Sequence, residues 1–259
     1  MTAGRRVANY DSIAARYDRR YQIHDYAGVR AALIEFAAES NAVVEIGCGT
    51  GHWLAELARI PSLSDERVIA GVEPSAEMIA RARATAPEAL LVRGRAEALP
   101  WRDASFDRVC CVNALHHFAD RARFFAEARR ILKPGGALLT IGKDPHTERD
   151  AWWVYDYFPE TLAIDRDRFA RVRTLRGEMT LAGFSWSESF EADRIEAVQP
   201  ASEAFASGVV DRAYTSQLTV LSDEEFDAGV SRVKSANEAA GGELQLVTDF
   251  HLFATIGRV

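Results

Sequence analysis

Residues 42–51 read AVVEIGCGTG, a β-branched apolar run that breaks directly into three alternating glycines, Gly47, Gly49 and Gly51. The run is short and bounded by turn residues, as expected of a strand buried on both faces. Glycine at every second position then predicts a tight turn where a side chain would collide with a ligand or with neighbouring backbone. Residues 52–59 follow as a helix. By itself the pattern is open between a cofactor loop and a plain tight turn.

Outward from this loop, strands and helices alternate in the manner of parallel βαβ units. Arg67–Val72, Ala89–Arg93, Phe106–Val112 and Ala137–Gly142 read as further strands. Ser75 is placed to cap a helix running to Thr85, with Glu77 complementing its dipole. A second helix, Arg121–Leu132, ends at Lys133-Pro134-Gly135-Gly136, where the chain cannot continue helical. Val172–Leu181 has helical spacing, whereas Ser185–Val198 and Glu243–Ile256 alternate as strands. Ala201–Gly241 is mainly helical in pattern, and Ser222-Asp223-Glu224-Glu225 marks a helix start. The fold class is α/β, and the length of 259 residues suits a single domain with insertions.

Composition narrows the function. The chain is 48% hydrophobic and 27% charged, with a formal net charge of −7, an ordinary globular balance that disfavours a nucleic-acid partner. Arg121, Arg123, Arg129 and Arg130 are the best basic cluster, and their helix reads as an ordinary amphipathic surface. No apolar run approaches the ~18 residues that span a bilayer, so no membrane partner is expected. Cys48, Cys110 and Cys111 offer neither a disulfide framework nor metal-ligand spacing. A cytoplasmic, reducing setting and no metal are the expectations.

Glu73 closes the second strand. A carboxylate there can accept hydrogen bonds from both ribose hydroxyls of an adenosine. The alternative is that it caps the next helix, for which Ser75 is better placed. Dinucleotide-dependent oxidoreductases use Gly-x-Gly-x-x-Gly; here the third glycine comes one residue early and His52 follows it. From Tyr10 to Gly142 the chain resembles the class I S-adenosylmethionine-dependent methyltransferases, small-molecule branch. The resemblance is carried by VVEIGCGTGHW, VIAGVEPSAEMIARAR, GRAEALPWRDASFDRVCCVNALHHF and AEARRILKPGGALLTIG.

That resemblance implies a Rossmann-like doubly wound sheet of seven strands, the last antiparallel, with helical lid insertions. It implies S-adenosylmethionine as cofactor and S-adenosylhomocysteine as product. Glu45 and the amides of Gly47, Cys48, Gly49 and Gly51 would hold the amino-acid end, and Glu73, followed by Pro74, the ribose. Met78, Ala96 and Glu97 would lie near the adenine, and Asn113 and Ala114 near the methionine portion. Tyr10 and Tyr17 match an N-terminal cap, residues 1–25, that closes over the cofactor in relatives; they read equally well as core aromatics of an amphipathic helix.

A sulfonium methyl needs an aligned nucleophile, and a general base only when the acceptor is protonated. His116 and His117, past the fourth strand, are the candidates for that base or for structural roles, while His24, His146 and His251 read as hydrogen-bonded structural histidines. Residues 144–169 and 200–242 emerge at the carboxyl edge of the sheet, where ligands bind in open α/β folds. Their aromatics Trp152, Trp153, Tyr155, Tyr157 and Phe158, with Tyr214, either pack the lid or line an acceptor pocket. The function implied is methyl transfer to oxygen, nitrogen or carbon of a small-molecule acceptor. The alternatives are a catalytically silent S-adenosylmethionine-binding module serving a partner protein and, less well matched, an NAD-dependent oxidoreductase.

Overall fold

The computed structural model describes residues 13–14, 16–60 and 67–259. Among the described residues eight strands form one sheet: β1 (Ala42–Ile46), β2 (Val68–Glu73), β3 (Leu90–Arg93), β4 (Phe106–Val112), β5 (Leu132–Gly142), β6 (Ala151–Trp152), β7 (Trp186–Pro200) and β8 (Gln245–Arg258). The order runs β3-β2-β1-β4-β5-β8, and both β6 and β7 pair with β8. Neighbours from β3 to β5 are parallel, while β8 is antiparallel to β5, β6 and β7. The doubly wound sheet with an antiparallel last strand is therefore as the sequence implies, and the two-residue β6 is an addition.

Burial explains the sequence patterns. Every residue of β1 is buried, as both faces are covered, whereas β7 pairs along one side only and leaves many side chains to water. The register of β4 with β5 jumps from Phe106↔Leu132 to Arg108↔Ala137. The Lys-Pro-Gly-Gly stretch that stops the preceding helix (Arg121–Ile131) is thus looped out within β5, with Gly135 left-handed at φ +77°. The same corner is tied down by Asp107, whose carboxylate accepts the amides of Asn41 (3.0 Å) and Ala42 (2.8 Å) and pairs with Lys133 at 2.8 Å.

Helix starts follow their capping residues. Ser75 accepts from the Met78 amide, and Ser222 and Glu225 form a reciprocal capping box opening the helix Asp223–Ala239. The arginines of residues 121–130 face internal partners: Arg121 forms a two-pronged pair with Glu178, and Arg130 reaches Glu127, Asp103 and two backbone carbonyls. That occupancy matches the reading of an ordinary amphipathic helix. No helix among the described residues is long and apolar enough to cross a membrane.

One face of the sheet packs against the helix Ala27–Ala37 and the lid, the other against Arg121–Ile131. The lid comprises helices at Trp153–Tyr157, Glu160–Arg168, Ala201–Ser207, Ser216–Thr219 and Asp223–Ala239. Its two halves meet where Gly229 abuts the ring of Phe158, close enough that a β-carbon on Gly229 would lie 2.1 Å from Phe158 Cδ1. Phe158 is fully buried. Gly229→Ala is expected to lower the unfolding free energy by about 1–3 kcal/mol through overpacking, despite alanine's better helix propensity. Urea denaturation checks this, and an unchanged midpoint would disprove the contact.

Candidate functional site

The glycine turn is built from left-handed backbone: φ is +77° at Gly47, +53° at Gly49 and +84° at Gly51. A β-carbon at Gly47 would lie 2.5 Å from Cβ of Ala114, so the turn at β1 and the end of β4 touch only because residue 47 is glycine. The amides of Gly47 and Cys48 both donate to the Val72 carbonyl, at 2.8 and 3.1 Å. The amide of Gly49 donates to Glu73 Oε2 at 3.1 Å, and that of Ser75 to Glu73 Oε1 at 3.0 Å. Glu73 thus joins the turn to the next helix start, while Ser75 performs the capping.

Glu45 lies beneath the turn, 1% exposed, and its Oε2 has no hydrogen-bond partner among the described residues. Burial pushes its pKa well above the ordinary 4.5, and the nearby charge of Glu73 adds to the effect.

A cavity of about 350 Å³ opens beside the turn. Gly47, Gly49, Glu73, Pro74 and Met78 line it, together with Ala96, Glu97, Asn113, Ala114, His117 and Tyr17. Cys48 and Gly51 serve the turn differently. Cys48 packs its thiol towards Gly71, and Gly51 lies against Ala82. The Glu97 carboxylate accepts from the amides of Ala119 (2.7 Å) and Asp120 (3.4 Å). Burial works against its ionisation, but those amides and Arg95 hold its pKa below the usual value. Sequence reasoning missed Ser75, Gly94, Arg95 and Phe118, which also line the cavity. Gly94 and Arg95 follow β3 at the carboxyl edge, and that position was the available signal.

Residues 17–23 close over the turn. The Arg20 guanidinium lies 3.7 Å over the Tyr17 ring, Thr50 donates to Asp18, and Tyr21 stacks on His52 at 3.6 Å and 3°. Tyr10 lies outside the described residues.

A second cavity, about 60 Å³, adjoins the first at Asn113. Asn113 is itself left-handed at φ +50°, an uncommon conformation for a non-glycine residue. Trp152 and Tyr214 line this second space, as do Arg20, Lys143, Phe169 and Phe250. His24 and Tyr214 share a 2.6 Å hydrogen bond, and burial lowers the His24 pKa to about 4, leaving it neutral at pH 7. His116 also faces this cavity and stacks on Phe169 at 4.0 Å, while His117 faces the larger one. Trp153, Tyr155 and Tyr157 line neither space. Trp153 stacks on Tyr214, Tyr155 donates to Asp165, and the Tyr157 carbonyl accepts from Arg232. These three pack the lid. Among the described residues no cluster of histidine, cysteine or carboxylate side chains could hold a metal ion.

Residues 44–140 match the family model described as a methyltransferase domain. Over 159 residues the chain is 30% identical to the demethylmenaquinone methyltransferase of Thermotoga maritima, covering 59% of this chain and 68% of that protein. It is 32% identical to the enzyme of the same name from Lactiplantibacillus plantarum over 143 residues, covering 51% of this chain and 60% of the relative. Its fold is that of a SAM-dependent methyltransferase from Aquifex aeolicus (TM-score 0.56, 12% identity, 97% and 98% of the two chains covered). It is also that of the YcgJ protein of Bacillus subtilis (TM-score 0.62, 18% identity, 89% and 97% covered). The chain belongs to the class I, S-adenosylmethionine-dependent methyltransferases.

Burial raises the Glu45 pKa in the folded chain above the ordinary 4.5 at which the unfolded chain titrates. The folded, ligand-free chain therefore binds more protons above that pH, so this group's contribution to stability falls as pH rises. Glu45→Gln removes the effect. Chemical denaturation at pH 5 and pH 7.5 is expected to show the variant gaining on the parent at the higher pH. A difference independent of pH would show Glu45 ionised in the folded chain.

Proposed function

We propose that this chain transfers the methyl group of S-adenosylmethionine to an oxygen, nitrogen or carbon nucleophile of a small acceptor seated under the lid. The observation that carries this reading is the junction at Asn113. There a cavity bounded by the glycine turn and Glu73 meets a second one roofed by the lid. The partnerless buried oxygen of Glu45 fits a cofactor that brings an ammonium group to the turn. When bound, S-adenosylmethionine supplies an electrophilic methyl on sulfur.

The chain's own residues do the rest. Glu73 would hold the ribose hydroxyls, Glu45 and the turn the amino-acid end, and Met78 and Ala96 the adenine. Asn113 and Ala114 would border the methionine portion, and Tyr17 would cover it. Orientation and exclusion of water by residues 17–23 and the lid are the main catalytic contributions. His116 and His117 stand at the junction, available to take a proton from a hydroxyl acceptor. The working unit is a single domain, with residues 1–25 as cap and residues 144–169 and 200–242 as lid. Three buried, unpaired cysteines suit a cytoplasmic setting.

Calorimetry with S-adenosylmethionine, S-adenosylhomocysteine and NAD tests the reading. Binding of the first two and not of NAD is expected, and the reverse would overturn it. Glu73→Ala should weaken S-adenosylhomocysteine by about 1–3 kcal/mol through lost charged hydrogen bonds. Unchanged affinity would remove Glu73 from the ribose. A screen of small acceptors for release of the demethylated product separates an enzyme from a silent binding module.

A further inference from the structure

We propose that the acceptor is a small aromatic carboxylate whose oxygens are received by Lys143 in the lid cavity, with Arg168 adding positive charge from the smaller space behind the His116–Phe169 stack. This rests on the methyl-transfer reading and names its substrate class.

Lys143 follows directly on β5, at the carboxyl edge of the sheet, and its side chain is only 6% exposed. Its ammonium stands 4.0 Å over the Trp152 ring and 4.5 Å over that of Phe250. Asp150 Oδ2, 3.2 Å away, is the acceptor in reach of Nζ among the described residues, which leaves two of the three ammonium protons facing aromatic rings or the cavity. The other Asp150 oxygen is already taken by the His251 amide at 3.0 Å.

Lys143 lines both the 60 Å³ cavity and a smaller one of about 30 Å³, separated by the His116–Phe169 stack. Arg168 borders the smaller space. It is 1% exposed, and one nitrogen pairs with Asp165 Oδ1 at 2.7 Å. Its Nε and Nη1 have no acceptor among the described residues. Asp165 cannot supply one, since its second oxygen already accepts from Tyr155 and from Gln217, each at 2.8 Å. The indole N–H of Trp152 is a further buried donor without an acceptor.

Buried polar groups in folded proteins are almost always paired, so this surplus of donors calls for oxygens brought by a ligand. A carboxylate offers several lone pairs for the ammonium of Lys143 and the indole N–H of Trp152, and a charge that an ammonium favours. An amine would meet like charge and further donors. Trp152, Phe169 and Tyr214 supply flat apolar walls for a ring beside that group.

The test is calorimetry on the full chain saturated with S-adenosylhomocysteine, using benzoate, benzamide and benzylamine as probes. Benzoate is expected to bind about tenfold or more tighter than benzamide, with benzylamine weakest. Lys143→Met should remove that preference without altering benzamide or S-adenosylhomocysteine binding, and Lys143→Arg should keep part of it. If Lys143→Met no longer binds S-adenosylhomocysteine, the ranking on the parent chain decides. Equal affinities, a preference for benzylamine, or no benzoate binding by a chain that holds S-adenosylhomocysteine would overturn the inference and spare the methyl-transfer reading. Failure of the parent to bind S-adenosylhomocysteine would instead sink that reading.

Discussion

The close approach of Gly47 to Ala114 sets the position of everything else at the site. With a β-carbon excluded, the turn after β1 lies against the end of β4, and their neighbours are carried along. The Val72 carbonyl gathers two turn amides, so the end of β2 and its Glu73 come to the same spot. Asn113, next to Ala114, falls on the other side of the same contact. A parallel sheet brings strand ends together at one edge; here a missing methyl group lets the end of β4 touch the turn that is hydrogen-bonded to the end of β2.

The parts legible in the sequence are those with a local cause. β1 stops at Ile46, where the glycines begin, and the helices after Ser75 and Ser222 start where their hydroxyls can cap them. Glu73 was legible because it ends a strand whose neighbour carries the turn. Other features depend on what the chain meets far away. Cys48 sits in the loop motif, yet its side chain turns to Gly71, which no spacing within the motif foretells. Arg20 and His24 come to the lid cavity from one short segment before Ala27 and Lys143 from the end of β5, and nothing adjacent to them in sequence marks them. The Lys-Pro-Gly-Gly stretch stops a helix, as read, but tertiary pairing on both sides of it turns the expected break into a bulge inside β5.

Buried ionisable groups are concentrated on the carboxyl edge. Glu45, Asp150, Asp165, Lys143 and Arg168 all have little contact with water, and only the last four are arranged as pairs. Removing charges from water costs folding energy that a pair returns only in part. A core designed for stability alone would put apolar residues there. Local rules are broken at this edge, and the rest of the sheet, apolar in β1 apart from Glu45 and in most of β4, compensates.

One edge of β8 is taken along its whole length by β7, and the other is divided between β5 and β6. The ladder Ala151↔Asp249 and Trp152↔Thr248 therefore makes Trp152, a wall of the cavity under the lid, a member of the sheet. Any swing of the lid has to pivot beyond Trp152, because moving that residue means parting strands. Trp152 is thereby fixed to the same frame as the glycine turn.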